Sequence, residues 1–147
     1  MEATLVPIPN AKQPETGILT GGQPTAEQLD QAQAAGYKTI VNLRPAAEMK
    51  EWNEAQKVEQ LGMKYVLIPV AGGADLSDTN TQALDAVLAN PDNYPVMVHC
   101  ASGNRVGALF ALRAARIQGK DAEEALKIGE AAGLTGLAPV VRELLAK

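Results

Sequence analysis

The stretch VMVHCASGNRVG, Val96–Gly107, decides how the rest of the chain is read. Its first residues are apolar and β-branched and suit a short buried strand, Val96–His99. Helical spacing starts at Asn104 and runs to Gln118, where Gly119 stops it. A strand that feeds a helix through a tight turn lets the backbone N–H groups from Ala101 to Arg105 curl around a point above Cys100. The helix N-terminus adds about half a positive charge there. Gly103 permits the backbone angles of such a curl, and the planar fork of Arg105 can hold two oxygens of a tetrahedral anion. These surroundings favour a thiolate. They make Cys100 a candidate nucleophile at the foot of an anion cradle built from Ala101, Ser102, Gly103 and Asn104. A lone cysteine after an apolar strand is ordinarily a small buried hydrophobe; the strand, glycine, arginine and helix together turn the reading to chemistry. His99 is not the base for this sulfur, because successive strand residues face opposite sides. It either braces the loop through a hydrogen bond or is a plain core histidine.

Upstream of this segment, strands and helices alternate. Residues 1–16 carry three prolines and predict an extended lead-in wrapped on the surface. Ile18–Thr20 suits a short strand before the turn Gly21-Gly22. Thr25 and Gln28 have capping-box spacing and open a helix over Ala26–Ala35, stopped by Gly36. Lys38–Leu43 reads as a buried strand ended by Pro45. Ala46–Leu61 reads as one helix with Trp52, Ala55, Val58 and Leu61 on a common face, and Met63–Ile68 as the next strand. After a loop rich in glycine and acid, Ser77 or Asp78 caps a helix over Thr79–Ala89. Downstream of the decisive segment, Asp121 and Glu124 open a helix over Ala122–Ala132. Thr135 caps a last one ending near Ala146, with Pro139 in its first turns. This order predicts an α/β domain spanning 1–147, with a central, mostly parallel sheet of about four or five strands flanked by helices. In such sheets ligands bind beyond the carboxyl ends of the strands, which directs attention to Asn42–Pro45, Pro69–Asp78 and His99–Arg105.

Composition narrows the function classes. The chain has 147 residues and a net charge of −4, so bulk electrostatic binding to nucleic acid or acidic membranes is not expected. One cysteine and one histidine exclude both an intrachain disulfide and a Cys/His zinc site, and no metal or other cofactor is expected. No apolar run approaches the ~18–20 residues that span a bilayer. One tryptophan, three tyrosines and one phenylalanine make a poor stacking platform for single strands. Nucleotide-cradling loops of the GxxxxGK[ST] and GxGxxG kinds, and the GxSxG elbow, are absent. A free reactive thiol suits the cytoplasm; a periplasmic location follows only if a signal peptide has been removed.

The segments GGQPTAEQL (Gly21–Leu29), GYKTIVNLRP (Gly36–Pro45), YVLIPV (Tyr65–Val70) and HCASGNR (His99–Arg105) resemble, in order and spacing, the dual-specificity-like cysteine phosphatase superfamily. Within it they are most similar to the bacterial phosphatase-like domain of beta-lactamase-hydrolase-like proteins, formerly a domain of unknown function. The resemblance covers nearly the whole chain. It implies a cysteine-phosphatase fold, a phosphocysteine intermediate on Cys100, anion binding by Arg105, no metal, and a phosphorylated protein or small anionic substrate. It further implies a carboxylic acid upstream that protonates the leaving oxygen. Asp75, among glycines in the loop after Pro69, is the candidate, since Asp78 has the ordinary task of capping a helix. Arg44, at the end of its strand, either helps bind an anion or pairs with Glu48 four residues on. Gln23 is a weaker candidate, because turn and helix start explain its motif.

Two positions depart from the superfamily pattern. Four residues rather than five separate Cys100 from Arg105, a spacing that also resembles the active loop of rhodanese sulfurtransferases. Val106 stands where a serine or threonine usually helps the sulfur leave. The leading expectation is a metal-independent, cysteine-dependent phosphatase acting on phosphomonoesters. The alternatives are a sulfurtransferase working through a Cys100 persulfide and a non-catalytic anion-binding module. Substrate identity and oligomeric state are not legible in the sequence.

Overall fold

The computed structural model describes residues 4–147; the first three residues of the predicted lead-in lie outside them. Five strands form one sheet: β1 Lys12–Glu15, β2 Ile18–Gly21, β3 Thr39–Asn42, β4 Lys64–Leu67 and β5 Val96–His99. Six α-helices accompany them: α1 Ala26–Ala34, α2 Glu54–Gln60, α3 Asp78–Leu88, α4 Asn104–Arg116, α5 Ala122–Ala132 and α6 Ala138–Leu145. The sheet order is β1-β2-β5-β3-β4. The β2–β5, β5–β3 and β3–β4 pairs are parallel, and only β1–β2 is antiparallel. The expected mostly parallel α/β sheet is therefore present, with β5 at its centre, where a strand is protected on both edges.

Period-two alternation divides the core between the two faces of the sheet. Val96 and Val98 of β5 pack with Val41, Leu84, Leu109 and Leu112, on the face covered by α3 and α4. Met97 packs with Leu19, Ile40, Leu29 and Val58, on the face covered by α1 and α2. Cys100 and Val106 belong to the first cluster. Helix α4 is buried at every position from Val106 to Ala114. It lies so close to the α5–α6 connection that a Cβ on Gly107 would come within 2.0 Å of the Leu134 backbone nitrogen.

Four sequence expectations need correction. The lead-in is not merely extended: β1 pairs along β2, and Val6 and Ile8 are buried. The helix expected over Ala46–Leu61 is broken into a 3-10 turn at Ala46–Glu48 and α2, because Asn53 caps α2 through a hydrogen bond from the Gln56 amide. Ser77, not Asp78, caps α3, and Asp78 pairs with Arg116 at 2.7 Å. Thr135 does not cap α6. Its own amide and that of Leu137 donate to Asn104 Oδ1, while Pro139 sits in the first turn, where its missing N–H costs nothing.

The two basic residues in the last turn of α4, Arg113 and Arg116, serve structure. Arg113 is buried and joins α4 to Asp85 of α3 at 2.9 Å and to Glu15 of β1 at 3.6 Å.

Gly107→Ala forces the backbones of α4 and the Leu134 segment apart. It should cost on the order of 3 kcal/mol and lower Tm by about 10 °C. A thermal melt followed by circular dichroism checks this; an unchanged Tm contradicts the close approach.

Candidate active site

Cys100 follows the last residue of β5. Its N–H donates to Gly21 O at 3.2 Å, extending the β2–β5 ladder by one bond. Its side chain is 1% exposed, and its Sγ accepts the Gly103 N–H at 3.0 Å. Gly103 has φ of 101°, a left-handed conformation that glycine adopts without strain. The carbonyls of the loop point elsewhere. Ala101 O accepts from the Gln23 N–H at 3.1 Å and Gly103 O from the Gly107 N–H at 3.0 Å; Ser102 O accepts from Asn10 Nδ2 at 2.9 Å. A planar peptide carries its N–H opposite its carbonyl, so the amides of Ser102, Gly103 and Asn104 turn the other way, and that of Gly103 meets the sulfur. The side chain of Asn104 faces out of the loop, holding the α5–α6 connection.

The Arg105 guanidinium is anchored from behind. Nη1 donates to Glu48 Oε2 at 2.9 Å and to Val70 O at 2.8 Å, and Nη2 to Glu48 Oε1 at 3.0 Å. These bonds use three of its N–H groups. A guanidinium has five, so the Nε–H and one Nη2–H are left for the cradle. The hydrogen bond from Arg105 is the main cause of a Glu48 carboxyl held below the ordinary range, with Arg44 adding to it against the effect of burial. Glu48 in turn raises Arg105, and the Cys100 sulfur contributes in the same direction. Sulfur and guanidinium are thus electrostatic neighbours.

Glu48 begins a chain of polar contacts that returns to the strand carrying the cysteine. Arg44 Nε donates to Glu48 Oε1 at 3.2 Å, the same oxygen that accepts from Arg105. Arg44 Nη1 donates to Gln23 Oε1 at 2.9 Å. Gln23 Nε2 donates to Glu54 Oε1 at 2.7 Å. Glu54 Oε2 lies 2.6 Å from His99 Nε2, both side chains being buried. The other ring nitrogen of His99 lies 3.2 Å from Cys100 O. A buried carboxylate is stable only when paired and hydrogen-bonded, and Glu54 is satisfied on both oxygens.

Of the residues expected from sequence, the structure brings together Cys100, Ala101, Ser102, Gly103, Asn104 and Arg105. His99 is buried on the opposite face, its ring lying between Glu54 and the Cys100 carbonyl. Arg44 makes the Glu48 pair, and both its nitrogen edges are engaged by protein groups. Asp75 lies in a 3-10 turn on the loop that leaves Val70. Its Oδ2 accepts the Ala71 N–H at 2.8 Å, and its carbonyl accepts from Asn80 Nδ2 at 2.9 Å. Sequence reasoning missed Glu54 altogether and met Glu48 only as a partner for Arg44. The available signal was Asn53 with Gln56, a capping-box spacing that starts α2 at Glu54 and frees Ala46–Asn53 to turn Glu48 inward. Among the described residues no group of three or more His, Cys, Asp or Glu side chains is arranged to hold a metal ion.

Comparison with known proteins agrees with the fold. Residues 8–136 match the family described as a DSP-PTPase phosphatase fused to NAD+ kinase. A beta-lactamase hydrolase-like protein of Xylella fastidiosa (strain Temecula1) is 31% identical over 99 residues, which is 65% of this chain and 22% of that protein. The chain therefore corresponds to under a quarter of that relative's length. Two solved structures described as candidate phosphatases share the fold. The DUF442 protein of Shewanella putrefaciens CN-32 has a TM-score of 0.71 at 25% identity, covering 95% of this chain and 88% of that one. The protein nma1982 of Neisseria meningitidis z2491 has a TM-score of 0.73 at 25% identity, covering 91% and 94%.

Because Glu48 is lowered from its ordinary value of 4.5, its contribution to stability is complete above that value and is lost as pH falls through the lowered one. Glu48→Gln should therefore unfold at lower urea than the natural protein at pH 7, and the gap should narrow as the pH is lowered below the ordinary carboxyl value. Equal midpoints at pH 7 contradict the clamp.

Proposed function

We propose that this chain, which belongs to the family of DSP-PTPase phosphatases fused to NAD+ kinase, hydrolyses phosphomonoesters through a phosphocysteine on Cys100. The observation that carries this reading is the Cys100 sulfur under the Gly103 amide, beside a guanidinium whose two remaining donors are not used by Glu48 or Val70. In the first step the thiolate attacks phosphorus, an S–P bond forms and the P–O bond to the leaving group breaks. Loop amides and Arg105 hold the non-bridging oxygens, where charge is retained as the bonds exchange. In the second step water attacks phosphorus and gives a proton to the carboxylate left by the first step, the S–P bond breaks, and inorganic phosphate leaves with the thiolate and the acid restored. No redox partner is needed.

Asp75 is the proton donor to the leaving oxygen in this scheme. Its loop starts at Val70, whose carbonyl Arg105 holds, so the loop and the cradle share an anchor. Donation requires the carboxyl to exchange its bond with Ala71 for one with substrate, a local change in a short turn. Val106 is fully buried in the core and offers the departing sulfur no hydroxyl, so breakdown of the phosphocysteine is the slow step. The family description couples such a phosphatase to an NAD+ kinase, which brings nucleotide phosphate esters among the substrates to be tested beside phosphoproteins and small anions.

Para-nitrophenyl phosphate tests the scheme. The natural protein should release nitrophenol in a burst equal to the enzyme concentration, followed by slow turnover. Cys100→Ser should lose at least about 10³-fold in rate, and Arg105→Lys about 10²-fold. Asp75→Asn should spare this activated ester and slow an alkyl phosphate, which needs the proton. Sulfane-sulfur transfer from thiosulfate without any phosphate release overturns the proposal, and so does anion binding without turnover.

A further inference from the structure

A cleft of about 480 Å³ opens over the edge strand β4, beside the cradle but not containing the cysteine. That volume lies within the range of sites that enclose a ligand of drug size, roughly 300–1,000 Å³, and exceeds what a single phenyl ring fills. Its walls include Met49, Trp52, Tyr65 and Leu67, with Arg44 and Lys50 as cations. Trp52 and Tyr65 are partly buried and packed against the core of the α1/α2 face, so the aromatic floor is anchored. Leu67 is 43% exposed, an apolar side chain left facing solvent beside that floor. The acidic and amide groups of the cleft have other tasks. Glu54 holds His99 and Gln23, and Asn53 caps α2. Lys50 makes no ion pair among the described residues.

The cleft and the cradle are joined through one atom. Arg44, in the cleft wall, and Arg105, in the cradle, both donate to Glu48 Oε1, at 3.2 and 3.0 Å. A phosphoester seated on Arg105 therefore has its organic part within reach of the aromatic floor, and a second anionic group would meet Lys50. Aromatic walls beside a free cation suit a nucleobase carrying more phosphate than the one being cleaved.

We propose that this cleft is a leaving-group subsite that selects nucleotides: the base lies on Trp52 and Tyr65, Lys50 meets a further phosphate, and the scissile phosphomonoester lies in the cradle. The proposal rests on the phosphatase reading above for the cradle, but the cleft can be tested without turnover.

Trp52 is the only tryptophan of the chain, so its fluorescence reports on this cleft alone. The test titrates Cys100→Ser protein with adenosine 2′,5′-bisphosphate, phenyl phosphate and inorganic phosphate. The bisphosphate should quench Trp52 saturably, with a Kd at least about tenfold below that of phenyl phosphate, from the added stacking of the base. Lys50→Ala, at an exposed position, should raise the bisphosphate Kd about fivefold and leave that of phenyl phosphate unchanged. Trp52→Leu, read by calorimetry with its fold checked by circular dichroism, should remove the preference for the nucleotide. Equal affinity for the bisphosphate and phenyl phosphate overturns the subsite, as does a bisphosphate Kd indifferent to Lys50→Ala. Nucleotide quenching without hydrolysis of any phosphomonoester by the natural protein keeps the subsite and removes the phosphatase reading. Hydrolysis without nucleotide preference does the reverse.

Discussion

The Glu48 carboxylate, shared between Arg44 and Arg105, is the contact on which the arrangement of the site depends. An arginine side chain has several rotatable bonds and loses roughly 2 kcal/mol of rotamer entropy when fixed. Glu48 and the Val70 carbonyl supply that order in advance by meeting three donors in fixed directions. The remaining donors, Nε–H and one Nη2–H, then share one orientation, and the Cys100 sulfur is an electrostatic neighbour of the guanidinium. The pair is only partly buried, with the Glu48 side chain 31% exposed, so its value lies in placement more than in net stability. A carboxylate so close to the proposed cradle would repel the phosphate of the proposed substrate, but its charge is already paired with two guanidinium groups. The cluster as a whole, with Arg44 and Arg105 against one Glu48, remains cationic.

The fold was legible because the signals that determine it are local. Strand β5, helix α4 and the glycine between them are written in twelve consecutive residues, Val96–Gly107. The capping boxes at Thr25 and Asp121 mark helices that form where they predict. The loop that presents Cys100 was legible for the same reason: its glycine, its arginine and its helix start all lie within six residues of the sulfur. What escaped is what depends on distant parts of the chain. No periodicity reveals that Glu54, on the surface of a presumed long helix, is buried beneath His99 forty-five residues away. Nor does periodicity show that β1, which lacks an apolar face, is held as a strand by pairing with β2.

The broken helix at Ala46–Leu61 shows how tertiary contacts override a local pattern. Trp52, Ala55, Val58 and Leu61 do share a helical face, and the helix does form around the later three. It does not extend back to Ala46, because a straight helix would carry Glu48 along its own axis and away from Arg105. Asn53 has a poor helix propensity and a good cap. Starting the helix there costs little, and the preceding residues are freed to form the turn that carries Glu48. The same break opens the space between the turn and β4 in which Trp52 and Tyr65 stand.

Strand alternation then explains why one dipeptide serves two structures. His99 and Cys100 are adjacent in sequence, yet the ring belongs with the α1/α2 face and the sulfur with the α3/α4 core. The ring is reached by Glu54, Gln23 and Arg44 in succession, and Arg44 returns through Glu48 to the guanidinium beside the sulfur. The circuit passes from the strand below the cysteine to the arginine above it without crossing the cradle. The circuit thus ties the loop at two places, through Arg105 on one side and through His99 beside the Cys100 carbonyl on the other. Such a circuit holds a short loop, with few amides of its own, to one geometry by contacts made almost entirely outside it.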